Sequence, residues 1–394
     1  MTKQNKQDWN PFESGTFDDP HATYGDLQKC CPVAHSDAWD GFWSLTRYED
    51  IVSFTTGGCA STATKNLVPQ SPRSGLPRKP LHIDPPEHAQ FRRAMNPYFD
   101  DERINRLEGD LRRIAKRFIE PLLKKGEGDM MSEFANLLPM RAICLFLGAD
   151  EEDAIFLQAT SQRYVHAVGD GDRHLADELS AKLDAYALEL AQERENNPLD
   201  ADQDIVTGLL VKGVNGEPVP VEVVAGFVRG LLVAADRGTS NGVGNAILHM
   251  AEDNELQDYL RQHPERIPDA IEEFLRLYSP SAATARTTTQ DIEINGRHIQ
   301  EGEVIALVYL AANRDPDIFP DPDTFKLDRH PNRHLGFGHG VHKCAGQSLA
   351  RLQLRVALEE LLQHTKQFHL NGTVKRHISF PEYGLETLPV RLLS

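Results

Sequence analysis

Phe337-Gly-His-Gly-Val-His-Lys-Cys344-Ala-Gly346 is the stretch on which the reading of this chain turns. One cysteine sits among glycines, and an apolar helical run follows at once (Leu349, Ala350, Leu352, Leu354, Val356, Ala357, Leu358). Glycines let backbone amides come close to a sulfur and take φ values that other residues resist. At a helix start, the dipole favours the negative charge of a thiolate. The plain alternative is a buried free cysteine that only packs.

The bulk composition sets the class. At 394 residues, length alone suggests two or three domains. With 40% hydrophobic and 26% charged residues, the chain has the make-up of a globular protein with a large core. A net charge of −17 argues against nucleic acid and anionic membrane surfaces as partners, though not against a local basic patch. No apolar run approaches the roughly 20 residues that span a bilayer. The N-terminal MTKQNKQDWNPFESGTFDDP lacks the apolar centre of a signal peptide. The five cysteines (Cys30, Cys31, Cys59, Cys144, Cys344) are odd in number and have no metal-site spacing. Reduced thiols in the cytoplasm are the simplest reading.

Periodicity then gives the elements. The first eighty residues mix short β-like pieces, such as Gly41 to Leu45, with loops. Apolar residues at three- and four-residue spacing predict helices over 88–98, 102–125 and 131–147. Acidic residues from Asp150 to Asp153 mark another helix start, and 200–204 and 213–218 read as loops. A single long apolar helix is expected over 221–250, and a further one over 264–278. DIEINGRHIQEGEVIALV alternates around Asn295-Gly296, a hairpin signal. One helix follows the cysteine, and then a β-like tail with Ile378, Phe380 and Val390. Without repeats or a clear linker, one mainly α domain over 1–394 with a small β region is expected.

The spacing F-G-x-G-x-H-x-C-x-G, matched at every fixed position, resembles the haem-binding loop of cytochrome P450 monooxygenases. The resemblance extends over nearly the whole chain and is strongest from Asp84 onward. It implies a triangular, mainly α fold around haem b, with Cys344 as the axial ligand of the iron, pushing electron density toward it. Glu273-Phe-Leu-Arg276 is an i,i+3 pair that resembles the family's buried E-x-x-R, for which Arg329 is the third member. In Asp84-Pro-Pro-Glu-His88-Ala-Gln-Phe-Arg92 the i,i+4 spacing puts two donors on one helix face. The resemblance makes His88 and Arg92 ligands of the haem propionates, with Arg286 and His342 as two more. It implies that dioxygen is used to hydroxylate or O-demethylate a small substrate, aromatic or carboxylate-bearing. Electrons would come from a [2Fe-2S] or similar ferredoxin and an NAD(P)H-dependent reductase. Lys343, Arg351, Arg92 and Arg93 would suit such an acidic carrier. Segments 62–80, 164–171, 282–285 and 383–385, with Thr239, would line the substrate pocket.

One segment departs from the family. Its oxygen-side helix carries A-G-x-[DE]-T-[TS]. Here Ala234 and Ala235 stand for A-G, Arg237 falls at the acid and Gly238 at the threonine. Three readings follow. Asp236 and Thr239 could recover the proton-delivery work through a locally distorted helix. Arg237 could bind a substrate carboxylate that acts as the missing acid–base group, as in the family's fatty-acid peroxygenases, with peroxide as the oxidant or with dioxygen still in use. Arg237 could instead pair with a structural acid, with substrate or water supplying protons. A peroxide-driven or reductive haem-thiolate enzyme is therefore the alternative function, and a ligand-binding haem protein without catalysis is a further one.

Overall fold

The structure is a computed structural model and describes residues 7–13, 15–16, 19–63, 65–70, 75–377 and 380–393. The chain divides into two compact units. The first comprises Met1–Ser71, Glu272–Cys344 and Arg376–Tyr383; the second comprises Pro72–Ile271, Ala345–Lys375 and Gly384–Ser394.

The first unit is organised by a five-stranded sheet of β1 (Val33–Ser36), β2 (Phe42–Leu45), β3 (Ala60–Ser61), β4 (Ala283–Thr288) and β5 (Val304–Val308). Its order is β1-β2-β5-β4-β3, antiparallel except for β2 beside β5, where Trp43 pairs Ile305 and Leu45 pairs Leu307. All five residues of β5 are buried, as expected of an apolar run covered on both faces. Val304, Ala306 and Val308 join Phe42 and Ala285 in one apolar cluster, while Ile305 and Leu307 join Trp43 and Leu45 in another. The two-residue side-chain period of a strand sorts them in this way. The expected hairpin forms, with Ile294 opposite Arg297 and positive φ at both Asn295 (49°) and Gly296 (73°). That pair of angles is what a two-residue hairpin turn requires.

Helices dominate elsewhere. Those that matter for the site are α1 (Glu87–Met95), α2 (Asp153–Gly169), α3 (Arg173–Asn196), α4 (Val221–Ala234), α5 (Arg237–Glu252), α6 (Ile267–Tyr278) and α7 (Gln347–His364). Within the second unit α3 packs against both α2 and α4, and a three-stranded antiparallel sheet joins Glu127–Asp129, Pro389–Leu393 and Gln367–Leu370. Val390 lies in that sheet, Phe380 packs in the first unit's core, and Ile378 lies outside the described residues.

Three helices expected from periodicity are broken. The 102–125 pattern divides into Asp101–Asn105 and Glu108–Lys125. Over 131–147 there is a short 3₁₀ turn and then a helix from Pro139, a residue suited to the first helical position. The long helix expected over 221–250 stops at Ala234 and restarts at Arg237. There the Ser240 hydroxyl donates to the Asp236 carbonyl at 3.1 Å, alongside its own amide. Local side-chain competition of this kind is why serine bends helices.

Candidate active site

The cysteine loop belongs to the first unit and is closed by its own backbone. Cys344 N–H donates to Phe337 O at 2.9 Å, Gly338 N–H to Leu335 O at 2.8 Å and Lys343 N–H to Gly340 O at 3.1 Å. Gly338 and Gly340 both have φ of 74°, a conformation in which a Cβ is strained. At Gly340 there is also no room, since a Cβ would stand 3.0 Å from Thr55 O. The Thr55 hydroxyl meets His339 Nδ1 at 2.9 Å, tying the loop to the helix Tyr48–Thr56. Burial, then the Lys343 charge, holds His339 below the usual imidazole range. The loop leaves Cys344 exposed.

The same unit holds two of the expected propionate donors. His342 Nε2 lies 3.1 Å from Thr62 Oγ1, a partner that nothing in the sequence marks. Arg286 is buried on β4, opposite Ile305, and donates to Ala285 O at 2.7 Å. On the same strand face, Thr284 Oγ1 meets Tyr309 OH at 2.7 Å. Ala282, Ala283 and Ala285, expected in the substrate pocket, pack instead in the core with Phe42 and Ala306, and Tyr383 does the same. For the strand residues alternation decides this: 283 and 285 point one way, 284 and 286 the other.

The first unit also holds the E-x-x-R network. Arg276 Nε and Nη2 each reach a Glu273 oxygen at 2.8 Å, and Arg329 Nε reaches the same carboxylate at 3.0 Å. The Lys326 amide and Asn332 Nδ2 add two more donors, at 3.0 and 3.2 Å. Burial opposes ionisation of Glu273, but Arg276 and then Arg329 outweigh it and hold the carboxyl below its usual range.

The remaining expected residues belong to the second unit. His88 and Arg92 lie one turn apart on α1, His88 buried and Arg92 half-buried. Asp236, Arg237 and Thr239 cluster at the break between α4 and α5, all buried. The Arg237 guanidinium lies 3.3 Å from His166 Nε2 on α2. That contact is a hydrogen bond in the tautomer whose Nε2 lone pair is free. His166 is 71 positions away and carries no local signal. Of the 62–80 segment, residues 64 and 71–74 lie outside the described residues.

The residues fit a haem. On α4 the run 224–229 is buried, whereas Gly230 and Val233 are accessible and Ala234 is exposed, as is part of Gly238 beyond the break. Gly230, Val233 and Ala234 recur at three- and four-residue spacing and Leu231 is accessible beside them, so one side of an otherwise buried helix is left open. A Cβ added at Gly230 would meet nothing within 4 Å. Within the first unit, the exposed Cys344 thiol with the imidazole of His342 and the guanidinium of Arg286 suits an iron porphyrin that brings its own nitrogen ligands. Among the described residues no group of three or more His, Cys, Asp or Glu is placed to hold a bare metal ion.

Comparisons with known proteins agree. The sequence model of the family described as Cytochrome P450 matches residues 50–390. The Vitamin D(3) 25-hydroxylase of Pseudonocardia autotrophica is 33% identical over 356 residues, covering 88% of this chain and 87% of that protein. The Mycinamicin IV hydroxylase/epoxidase of Micromonospora griseorubida is 32% identical, with 95% and 96% covered. The solved structure of the cytochrome P450 PksS of Bacillus subtilis 168 bacillaene polyketide synthase superposes with a TM-score of 0.89 at 27% identity. It covers 98% of this chain and 100% of its own.

Proposed function

The chain belongs to the cytochrome P450 family, and on that premise we propose that it hydroxylates or O-demethylates a small organic substrate with dioxygen. Haem b is the cofactor, and when bound it supplies the activation of dioxygen and the transfer of one oxygen atom to a substrate carbon. The single observation that carries the reading is the exposed thiol of Cys344 at the end of a loop shaped by left-handed Gly338 and Gly340. Cys344 Sγ would hold the iron. His342 and Arg286 from the first unit, and His88 and Arg92 from the second, would hold the propionates through charge-assisted hydrogen bonds. Asp236 and Thr239, at the helix break, would carry protons at the carboxylate and at Oγ1.

A [2Fe-2S] or similar ferredoxin with an NAD(P)H-dependent reductase would supply electrons; exposed Lys343 and Arg93 and half-buried Arg92 and Arg351 would attract an acidic carrier. The chain crosses between its two units at 71/72, 271/272, 344/345, 375/376 and 383/384, which supports one catalytic domain over 1–394. No described helix is long and apolar enough to cross a membrane. Cysteines without disulfides at Cys30, Cys31, Cys59 and Cys144 suit the cytoplasm.

The test is the absorption of the reduced, carbon monoxide-treated holoprotein. It should show the red-shifted Soret band of a thiolate-ligated haem, and Cys344→His should move it to the imidazole-ligated position. A wild-type band of the imidazole type would overturn the assignment of Cys344. One observation favours a second reading: Arg237 is buried at the position of the family's acid and bonded to a histidine. It would bind a substrate carboxylate, and the oxidant would be peroxide. Product formation with hydrogen peroxide alone, and none with NAD(P)H, ferredoxin and reductase, would select it.

A further inference from the structure

The second unit buries two guanidiniums against one carboxylate, away from the break at Asp236. Arg229 on α4 is 1% exposed and Arg78 is 6% exposed. Their Nη2 atoms each donate to the same acceptor, Ser180 Oγ on α3, at 3.3 Å. The Arg229 guanidinium also lies over the Tyr164 ring, 4.8 Å from its centre. The neighbouring carboxylate, Asp184, reaches Arg229 Nε with Oδ1 only at 3.5 Å, and that nitrogen makes no hydrogen bond. Its other oxygen is covered by the chain at Gly75, where φ is +91° and a Cβ would stand 2.1 Å from Oδ2.

Charge fixes what is missing. Among the described residues, two buried cations face one anion here, which leaves one positive charge over in a place where an unpaired ion is costly. Burial, and next the charge of Arg78, pushes Arg229 below the usual guanidinium range, while burial raises Asp184 in spite of Arg229 and Arg78. A monoanion closes the balance and a dianion overshoots it. A planar carboxylate also matches the guanidinium fork. Asp184 keeps 15% of its side-chain exposure, so the cluster is not sealed from solvent, and Gly230, beside Arg229, is accessible.

We propose that Arg229 and Arg78 anchor a carboxylate on the substrate, with Asp184 as the internal anion that it joins or displaces. The inference rests on the enzymatic reading above and names the substrate class: an organic acid whose carboxylate is held at α4 while a distant carbon is oxidised. Asp184 is then a specificity residue, since its charge opposes the incoming one.

The test is a spin-state titration of the ferric holoprotein with straight-chain acids from hexanoic to hexadecanoic and with their methyl esters. One charge-assisted pair predicts acids binding about 10-fold or more tighter than matched esters. Arg229→Gln should bring the acid-to-ester ratio near one with ester binding unchanged. Asp184→Asn should tighten acid binding several-fold and leave esters alone. A purely structural cluster would change melting without moving the ratio. Equal acid and ester affinities in the wild type, no shift with any acid, or a ratio that neither variant moves overturns the proposal. Should Arg229→Gln not fold, Asp184→Asn decides: acid binding unchanged or weakened refutes the anchor. The carbon monoxide band, recorded first, separates this failure from failure of the haem-thiolate reading.

Discussion

Replacing Glu273 by glutamine removes one charge from a site that is almost completely dry. Glu273 is 1% exposed and Arg276 0%. The carboxylate accepts from Arg276, Arg329, the Lys326 amide and Asn332. In the variant Arg276 keeps only neutral acceptors, the carbonyls of Asn313, Pro322 and Thr324. The new amide N–H₂ group would face guanidinium donors. Removing one partner of a buried ion pair costs about 3–5 kcal/mol. Unfolding entropy for a chain of 394 residues is on the order of 0.8 kcal/mol per degree. The melting temperature of the haem-loaded protein should therefore fall by roughly 4–6 °C, followed by circular dichroism at a fixed scan rate. Arg106→Ala, which breaks the exposed pair with Glu102, should shift it by about 1 °C or less. The sign with pH is also set. Because the folded Glu273 pKa is depressed, its contribution is complete above the ordinary glutamate range and is lost as pH falls through the folded value. The variant's stability should fall less steeply on the acid side. A Glu273→Gln protein melting within about 1 °C of the parent would refute the energy assigned here to the buried pair.

Two further substitutions test the backbone. Gly340→Ala places a Cβ at φ 74° and 3.0 Å from Thr55 O; it should cost about 1–2 kcal/mol and show first as a reduced haem-to-protein ratio, and full haem occupancy would sink the view that the glycine shapes the ligand loop. Gly226→Ala puts a Cβ 1.9 Å from Pro77 O and must move the 75–78 segment. A stability loss of about 1–3 kcal/mol is expected on denaturant titration, with weaker preference for acids over esters because Arg78 moves with that segment.

Some of these features are visible in the sequence because their physics is local. The left-handed turn at Asn295-Gly296 needs residues that tolerate positive φ, and those letters stand side by side. Glu273 and Arg276 share a helix face by spacing alone, and the glycines of the cysteine loop are compulsory for its backbone. The break at Asp236 was half legible: Gly238, Thr239 and Ser240 spoil an apolar pattern, but the structure alone shows that Asp236 caps a new helix, its carbonyl accepting from Ser240. Apolar periodicity passes through such a stop, because burial pattern and backbone continuity are separate properties.

Sequence by itself determined the family, the sulfur-bearing loop, the ion pair at α6 and the mainly helical class, each from residues within a turn or two of one another. Tertiary structure alone decided that Arg237 meets His166, that Ala283 and Ala285 serve the core, and that Arg78 and Arg229 converge on Ser180. Ser180 lies 102 positions from Arg78 and 49 from Arg229. A hydrogen bond acts over about 3 Å of space, and sequence separation sets no rule for which distant side chains will meet at that distance.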